Sequence, residues 1–208
     1  MTTDDLLHAI SRLKDTDVRT IVIDRIASFR ANQDQTDDAV FQELCFCLLT
    51  AHCSADHCLA IQHALGPLFL SGTREDIEHE LRAHHYRFPP RAAHIVTARH
   101  YKDGLTARLR TLPRDERRRW LADTIPGLGL KEASHFLRNT GYDDYAIIDT
   151  HILDLLTSYH IIQRPRSLTP TRYLDIETTL QKIADQAGLT LAELDLYLWY
   201  LQTKKIVK

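Results

Sequence analysis

No stretch of this sequence approaches the roughly 18 consecutive apolar residues of a membrane-spanning helix. The opening residues, MTTDDLLHAI, are acidic and polar and lack the pattern of a secretory signal, so the expected compartment is the cytoplasm. Neither charge is in excess: 26 basic and 28 acidic side chains leave a formal net charge of −2, which argues against a crude polyanion binder. Strand-like alternation of polar and apolar residues is scarce, and there is no repeat and no low-complexity linker. The 12 histidines form no H-E-x-x-H or comparable ligand set, which counts against a metal hydrolase. Cysteine is confined to one segment, ELCFCLLTAHCSADHC, as Cys45, Cys47, Cys53 and Cys58. The spacing C-x-C-x5-C-x4-C matches no zinc or ferredoxin pattern. These residues read as small buried thiols in a reducing cell, and no metal is expected.

What the chain does have is helical periodicity. Its 208 residues are 44% apolar and 26% charged, ordinary for a soluble protein of one large or two small domains. Candidate helices lie near 3–14, 17–31, 37–52, 54–69, 74–84, 90–102, 114–123, 131–140, 150–160, 170–187 and 190–203. Several have clear starts: Thr36-Asp37-Asp38, Ser54, the Thr73–Asp76 capping box, and Pro89-Pro90. Gly66-Pro67, Ser71-Gly72, Gly104, Pro113, Pro126-Gly127, Gly141 and Gly188 read as breakers. The expected fold is all-α, with about ten helices in two lobes sharing a cleft. Residues 36–120 form mostly one lobe, and 1–35 with 121–208 mostly the other.

The near-neutral total hides an uneven distribution. Residues 1–81 carry 6 basic and 14 acidic side chains, 82–119 carry 11 and 3, and the rest carry 9 and 11. A basic middle suggests one face meant for phosphates, with Arg87, Arg91, Arg99 and the Arg117–Arg119 cluster as candidates. The run RDERRRW also reads as a solvated helix face with compensated charges.

The most informative stretch is WLADTIPGLGLKEASHFLRNTGYDD. Pro126 stops one helix, Gly127 and Gly129 allow a tight turn, and a second helix starts near Leu130. After Pro126, Gly127 and Gly129 thus leave backbone N–H groups open at a helix N-terminus, an arrangement suited to phosphate oxygens. A lysine, Lys131, stands in the first turn, where the helix dipole discourages a cation. An amine must be neutral to act as a nucleophile, whereas free lysine is almost wholly protonated at neutral pH. The position therefore suits a nucleophile, and it also suits an ordinary exposed lysine beside Glu132. Asp149 lies 18 residues on, in YAIIDTHILDLL, delivered by an apolar run to the start of the next helix. It fits a helix N-cap and a fixed, ionised catalytic carboxylate, and the two roles are compatible. The nearby His151 reads as structural.

The block IPGLGLKEASHFLRNTGYDDYAIIDTHIL resembles the helix–hairpin–helix plus Gly/Pro-rich loop and aspartate of the base-excision DNA glycosylase superfamily. More narrowly, FQELCFCLLTA, AIIDTHIL, RYLDIE and the end ELDLYLWYLQTKKIVK resemble the type 2 8-oxoguanine DNA glycosylase/AP lyases. The stretch AHCSADHC departs from that pattern. The resemblance implies excision of 8-oxoguanine from damaged double-stranded DNA and nicking of the strand by β-elimination. Lys131 would be the nucleophile that forms the Schiff base, Asp149 the catalytic carboxylate, and Lys208 the residue that separates 8-oxoguanine from guanine. The terminal carboxylate of Lys208 would accept from N7–H, which is where 8-oxoguanine is a donor and guanine an acceptor. A target base must leave the stack and enter a pocket; Trp199 and Phe88 are the candidates to sandwich it. Arg91 is a candidate phosphate contact. No cofactor is implied beyond a monovalent cation at the hairpin carbonyls near Gly127 and Gly129. The expected protein is a monomer, associated with the nucleoid in a prokaryote. The alternatives are the same scaffold acting on another oxidised base, and a non-catalytic DNA-binding hairpin module.

Overall fold

The computed structural model describes residues 2–206 and 208. Among these it is all-α, with twelve α-helices, three single-turn 3-10 segments and no strand. The chain divides into two compact units. One, called the inner unit because it is the middle of the sequence, is Ala31–Thr140; the other, called the outer unit because it holds the two ends of the sequence, joins residues 2–30 with Gly141–Ile206 and Lys208.

The inner unit is built around α3 (Asp37–Leu49). This helix starts where Thr36 accepts from the Ala39 N–H at 3.3 Å. Its sequence is apolar nearly all round, and Val40, Phe41 and the whole run Glu43–Leu49 are buried. Packed on it are α4 (Ala55–Ser71), α6 (Arg91–Ala98), α7 (Leu105–Thr111) and α9 (Leu130–Asn139), while α5 (Arg74–Ala83) joins α4 and α6, and α8 (Arg114–Thr124) joins α9. Cys45, Cys47 and Cys58 are buried apolar-packed thiols; Cys53 is half-buried. The one buried carboxylate of α3, Glu43, accepts from Asn139 Nδ2 at 2.6 Å and from Gln62 Nε2 at 3.3 Å, so it is satisfied and ties three helices together.

Three features differ from the sequence expectations. Gly66-Pro67 does not break α4, which runs through it to Ser71. Pro67 faces solvent while Leu65 and Phe69 are buried on either side, so packing outweighs the lost backbone bond. The helix α7 has no local signal because its cap comes from elsewhere: Asp37 accepts from the N–H groups of Gly104 at 2.6 Å and Thr106 at 2.9 Å. The boundary expected near residue 120 lies instead near 140, because α8 packs on α9 and α9 packs on α3.

The outer unit contains α1 (Thr3–Lys14), α2 (Val18–Ala31), α10 (Thr150–Ser158), α11 (Pro170–Ala187) and α12 (Leu191–Thr203). Helices α1, α11 and α12 pack together, and α10 lies on α12. Lys14 Nζ donates to the Ala187 carbonyl at 2.8 Å, filling an otherwise unmatched acceptor at the C-terminus of α11. No helix among the described residues is long and apolar enough to cross a membrane.

Candidate active site

In the inner unit, α8 ends where the Ile125 N–H donates to the Leu121 carbonyl at 3.0 Å. The turn closes with the Leu128 N–H on the Ile125 carbonyl at 3.1 Å. Ile125 and Leu128 are buried and pin the turn from below, while Pro126, Gly127 and Gly129 face solvent. Gly127 has φ +86°, a conformation that favours glycine. Its Cα is also hemmed in: a Cβ there would stand 2.4 Å from Nδ1 of His94 and 3.1 Å from Nη1 of Arg91. The turn is held by Arg91, whose Nη1 donates to the Leu48 carbonyl at 2.8 Å and the Gly127 carbonyl at 3.1 Å. One of the carbonyls suggested for a monovalent cation therefore already accepts from a guanidinium. The Gly129 N–H donates to Oε2 of Glu132 at 3.2 Å, closing the first turn of α9. Between the two helices, buried Arg118 donates to buried Ser134 Oγ at 3.3 Å.

Lys131 is the second residue of α9, its side chain one-quarter exposed, with Nζ 3.6 Å from Oε1 of Glu132. It is neither a free surface lysine nor a deeply buried one. The N-terminal end of α4 lies within its field: burial, then the neighbouring Cys53, push the Cys58 thiol up, and Lys131 acts on it in the opposite direction. Cys58, the last residue of the departing stretch AHCSADHC, is thus within electrostatic reach of Lys131. There Cys53 Sγ is 3.2 Å from His57 Nδ1, and His57 Nε2 is 2.7 Å from the His84 carbonyl. Among the described residues, no group of three or more His, Cys, Asp or Glu is arranged to hold a metal ion.

In the outer unit, Asp149 is the N-cap of α10. Its Oδ1 accepts from the Ile152 N–H at 2.9 Å, which fixes the carboxylate at the positive end of the helix. It is half-buried, at the end of the buried run Tyr145–Ile148. His151, two residues into α10, meets the half-buried Trp199 of α12 edge to face, with centroids 5.0 Å apart and planes at 80°. Lys208 is half-buried. Phe88, in the inner unit, is 43% exposed on the connection between α5 and α6.

The arginines expected at phosphates are mostly committed elsewhere. Arg99 donates through Nε to Phe69 and through Nη2 to Leu68 and Gly72, at 2.7–2.9 Å, closing the end of α4. Arg117 donates to the Leu109 and Leu112 carbonyls at 2.6 and 2.8 Å, closing the end of α7. Arg118 is buried. The last carbonyls of a helix lack partners along the chain and attract cations, and this draws arginines inward. Arg87 and Arg119 stay exposed. The sequence reading missed the capping role of Glu132 and the bracing role of Arg91. Glu132 had a local signal, an acid at the third position of a helix; Arg91 had none, since its acceptors lie 43 and 36 residues away.

Comparison with known proteins adds three findings. A family model described as 8-oxoguanine DNA glycosylase, of the Ogg helix–hairpin–helix type, matches residues 22–189. The chain is 44% identical to an 8-oxoguanine DNA glycosylase/AP lyase of Korarchaeum cryptofilum, over all of both chains. It is also similar to a crystal structure of the Methanocaldococcus jannaschii 8-oxoguanine glycosylase/lyase in complex with a 15mer DNA containing 8-oxoguanine. There the TM-score is 0.95 and the identity 40%, covering 98% of this chain and 99% of that one.

Proposed function

The chain belongs to the 8-oxoguanine DNA glycosylase family of helix–hairpin–helix type, and we propose that it performs both of that family's reactions with Lys131 as nucleophile and Asp149 as catalytic anion. It is a DNA glycosylase with AP lyase activity, and its substrate is DNA containing 8-oxoguanine.

In this reading the Lys131 amine attacks C1′ of the damaged nucleotide and the base departs with the glycosidic electron pair and a proton. The sugar ring opens to an iminium on the lysine nitrogen. The iminium acidifies C2′–H; loss of that proton expels the 3′ phosphate and nicks the strand. Water as nucleophile would remove the base and leave the strand intact. The Asp149 carboxylate, held by the Ile152 N–H, faces the positive charge that develops on the sugar and serves as a proton acceptor. The exposed turn at Pro126, Gly127 and Gly129 grips the DNA backbone, while Trp199, Phe88 and Lys208 receive the everted base.

The observation that carries the assignment is local. A partly buried lysine opens the helix that follows a glycine-pinned turn, in a chain matching named glycosylase/AP lyases along its whole length. The test is incubation with duplexes holding 8-oxoguanine, an oxidised pyrimidine or no lesion, analysed without alkali. Nicking at 8-oxoguanine alone is expected. Nicking only after alkali would remove the lyase step, and preference for the pyrimidine would overturn the substrate.

A further inference from the structure

The segment Tyr145–Ile148, which delivers Asp149, is buried and lies in no helix, and among the described residues there is no sheet to satisfy its backbone. Its donors and acceptors must find partners in some other way. Three of them, the N–H and carbonyl of Ala146 and the N–H of Ile148, find partners in two side chains one helical turn apart on α11. Glu177 accepts from the Ala146 N–H through Oε2 at 2.9 Å. Tyr173 donates its hydroxyl hydrogen to the Ala146 carbonyl at 2.7 Å and accepts from the Ile148 N–H at 3.2 Å. Both are almost fully buried, at 2% and 5% exposure. One carboxylate and one phenol thus serve the backbone of residues 146 and 148 as a neighbouring strand would. The second contact ends one residue before Asp149.

We propose that Tyr173 and Glu177 are positioning residues for the Asp149 carboxylate, setting the register of the chain that presents it. Both fall in the RYLDIE stretch, to which the chemistry of the site assigns no other role. At the far end Asp149 is fixed by its cap on Ile152. The carboxylate is thus held from both sides, by its own helix after it and by α11 before it. Catalytic geometry is unforgiving: a displacement of about 1 Å costs up to roughly a hundredfold in rate. Loosening residues 146–148 should then slow the reaction without touching the DNA. The proposal rests on Asp149 being the catalytic carboxylate, and the experiment separates the two.

The test is a double-mutant cycle of Tyr173→Phe with Asp149→Asn on the full chain, read as single-turnover nicking at 8-oxoguanine, with duplex Kd and Tm measured alongside. Asn is as good an N-cap as Asp, so the second variant keeps the fold of α10. Tyr173→Phe is expected to slow nicking about tenfold or more, with Kd changed less than about twofold. In the Asp149→Asn background it should have no further effect on the residual rate, because residues acting through one group do not add. An equal slowing in both backgrounds, or a slowing matched by lost DNA binding, would overturn the proposal. So would an unchanged rate in Tyr173→Phe. If Asp149→Asn alone is as fast as the parent, the assignment of Asp149 fails instead. Should Tyr173→Phe not fold, Glu177 supplies the second arm. Glu177→Gln keeps an oxygen for the Ala146 N–H and should retain the rate, whereas Glu177→Ala should lose it; equal rates in the two would sink the proposal.

Discussion

Arg91 holds the carbonyl of Gly127 at 3.1 Å with the same Nη1 that holds the Leu48 carbonyl at 2.8 Å, so one guanidinium nitrogen ties the hairpin turn to the end of the core helix α3. Arg91→Ala should cost about 1–3 kcal/mol of stability, since a buried acceptor is left without its donor. It should also weaken binding to undamaged duplex by loosening the turn. The salt dependence of that binding should keep its slope, because the guanidinium is engaged within the protein. A slope reduced by about one would mean that Arg91 neutralises a phosphate.

The two hairpin glycines should respond unequally to alanine. Gly127 combines φ +86° with a Cβ position 2.4 Å from His94 Nδ1, and both must be relieved at once. Gly127→Ala should cost about 2 kcal/mol or more and reduce affinity for DNA. Gly129 has an ordinary extended backbone, and its added Cβ would meet only the far end of the Glu132 side chain at 3.2 Å. Gly129→Ala should leave Tm nearly unchanged. Equal losses, read by thermal unfolding, would contradict this account of the turn.

His94 makes the hairpin sensitive to acid. Its Nδ1 is buried without a hydrogen-bond partner among the described residues. Burial, with the charge of Arg91 adding, holds the imidazole below its ordinary range. The unfolded chain therefore takes up a proton that the folded chain refuses. Stability falls as pH drops below the free-histidine value of about 6.5, and this group contributes no pH dependence above it. His94→Gln should flatten the fall of Tm between about pH 6.5 and pH 5. An unchanged slope would mean that other groups account for the acid response.

Lys208 should matter for selectivity more than for chemistry. Its removal is expected to narrow the preference for 8-oxoguanine over guanine while leaving nicking at a preformed abasic site close to the parent rate. Equal losses on both substrates would assign Lys208 to the reaction or to the fold.

How much of this was legible depended on the range of the interactions. The helices with local caps had their starts placed within a residue: α1, α3, α5 and α11 begin at Thr or Pro signals carried in their own sequence. So was the hairpin, because proline and glycine act on their own backbone. Lys131 and Asp149 could be singled out because each stands at the start of a helix, a place readable from adjacent residues. The cap of α7 by Asp37, the brace from Arg91, and the inward turn of Arg99 and Arg117 all depend on chain brought from a distance or on helix ends, and no local pattern announces them. The same holds for Tyr173 and Glu177, whose acceptors and donors lie 25 to 31 residues away.

The central claim is that the amine of Lys131 bonds to the sugar. It is tested most directly by borohydride reduction during reaction with 8-oxoguanine duplex, comparing the parent chain with Lys131→Gln. A covalent protein–DNA adduct is expected from the parent and none from the variant, with undamaged duplex still bound by both. Adduct formation by Lys131→Gln at the parent rate would place the nucleophile elsewhere and contradict the account.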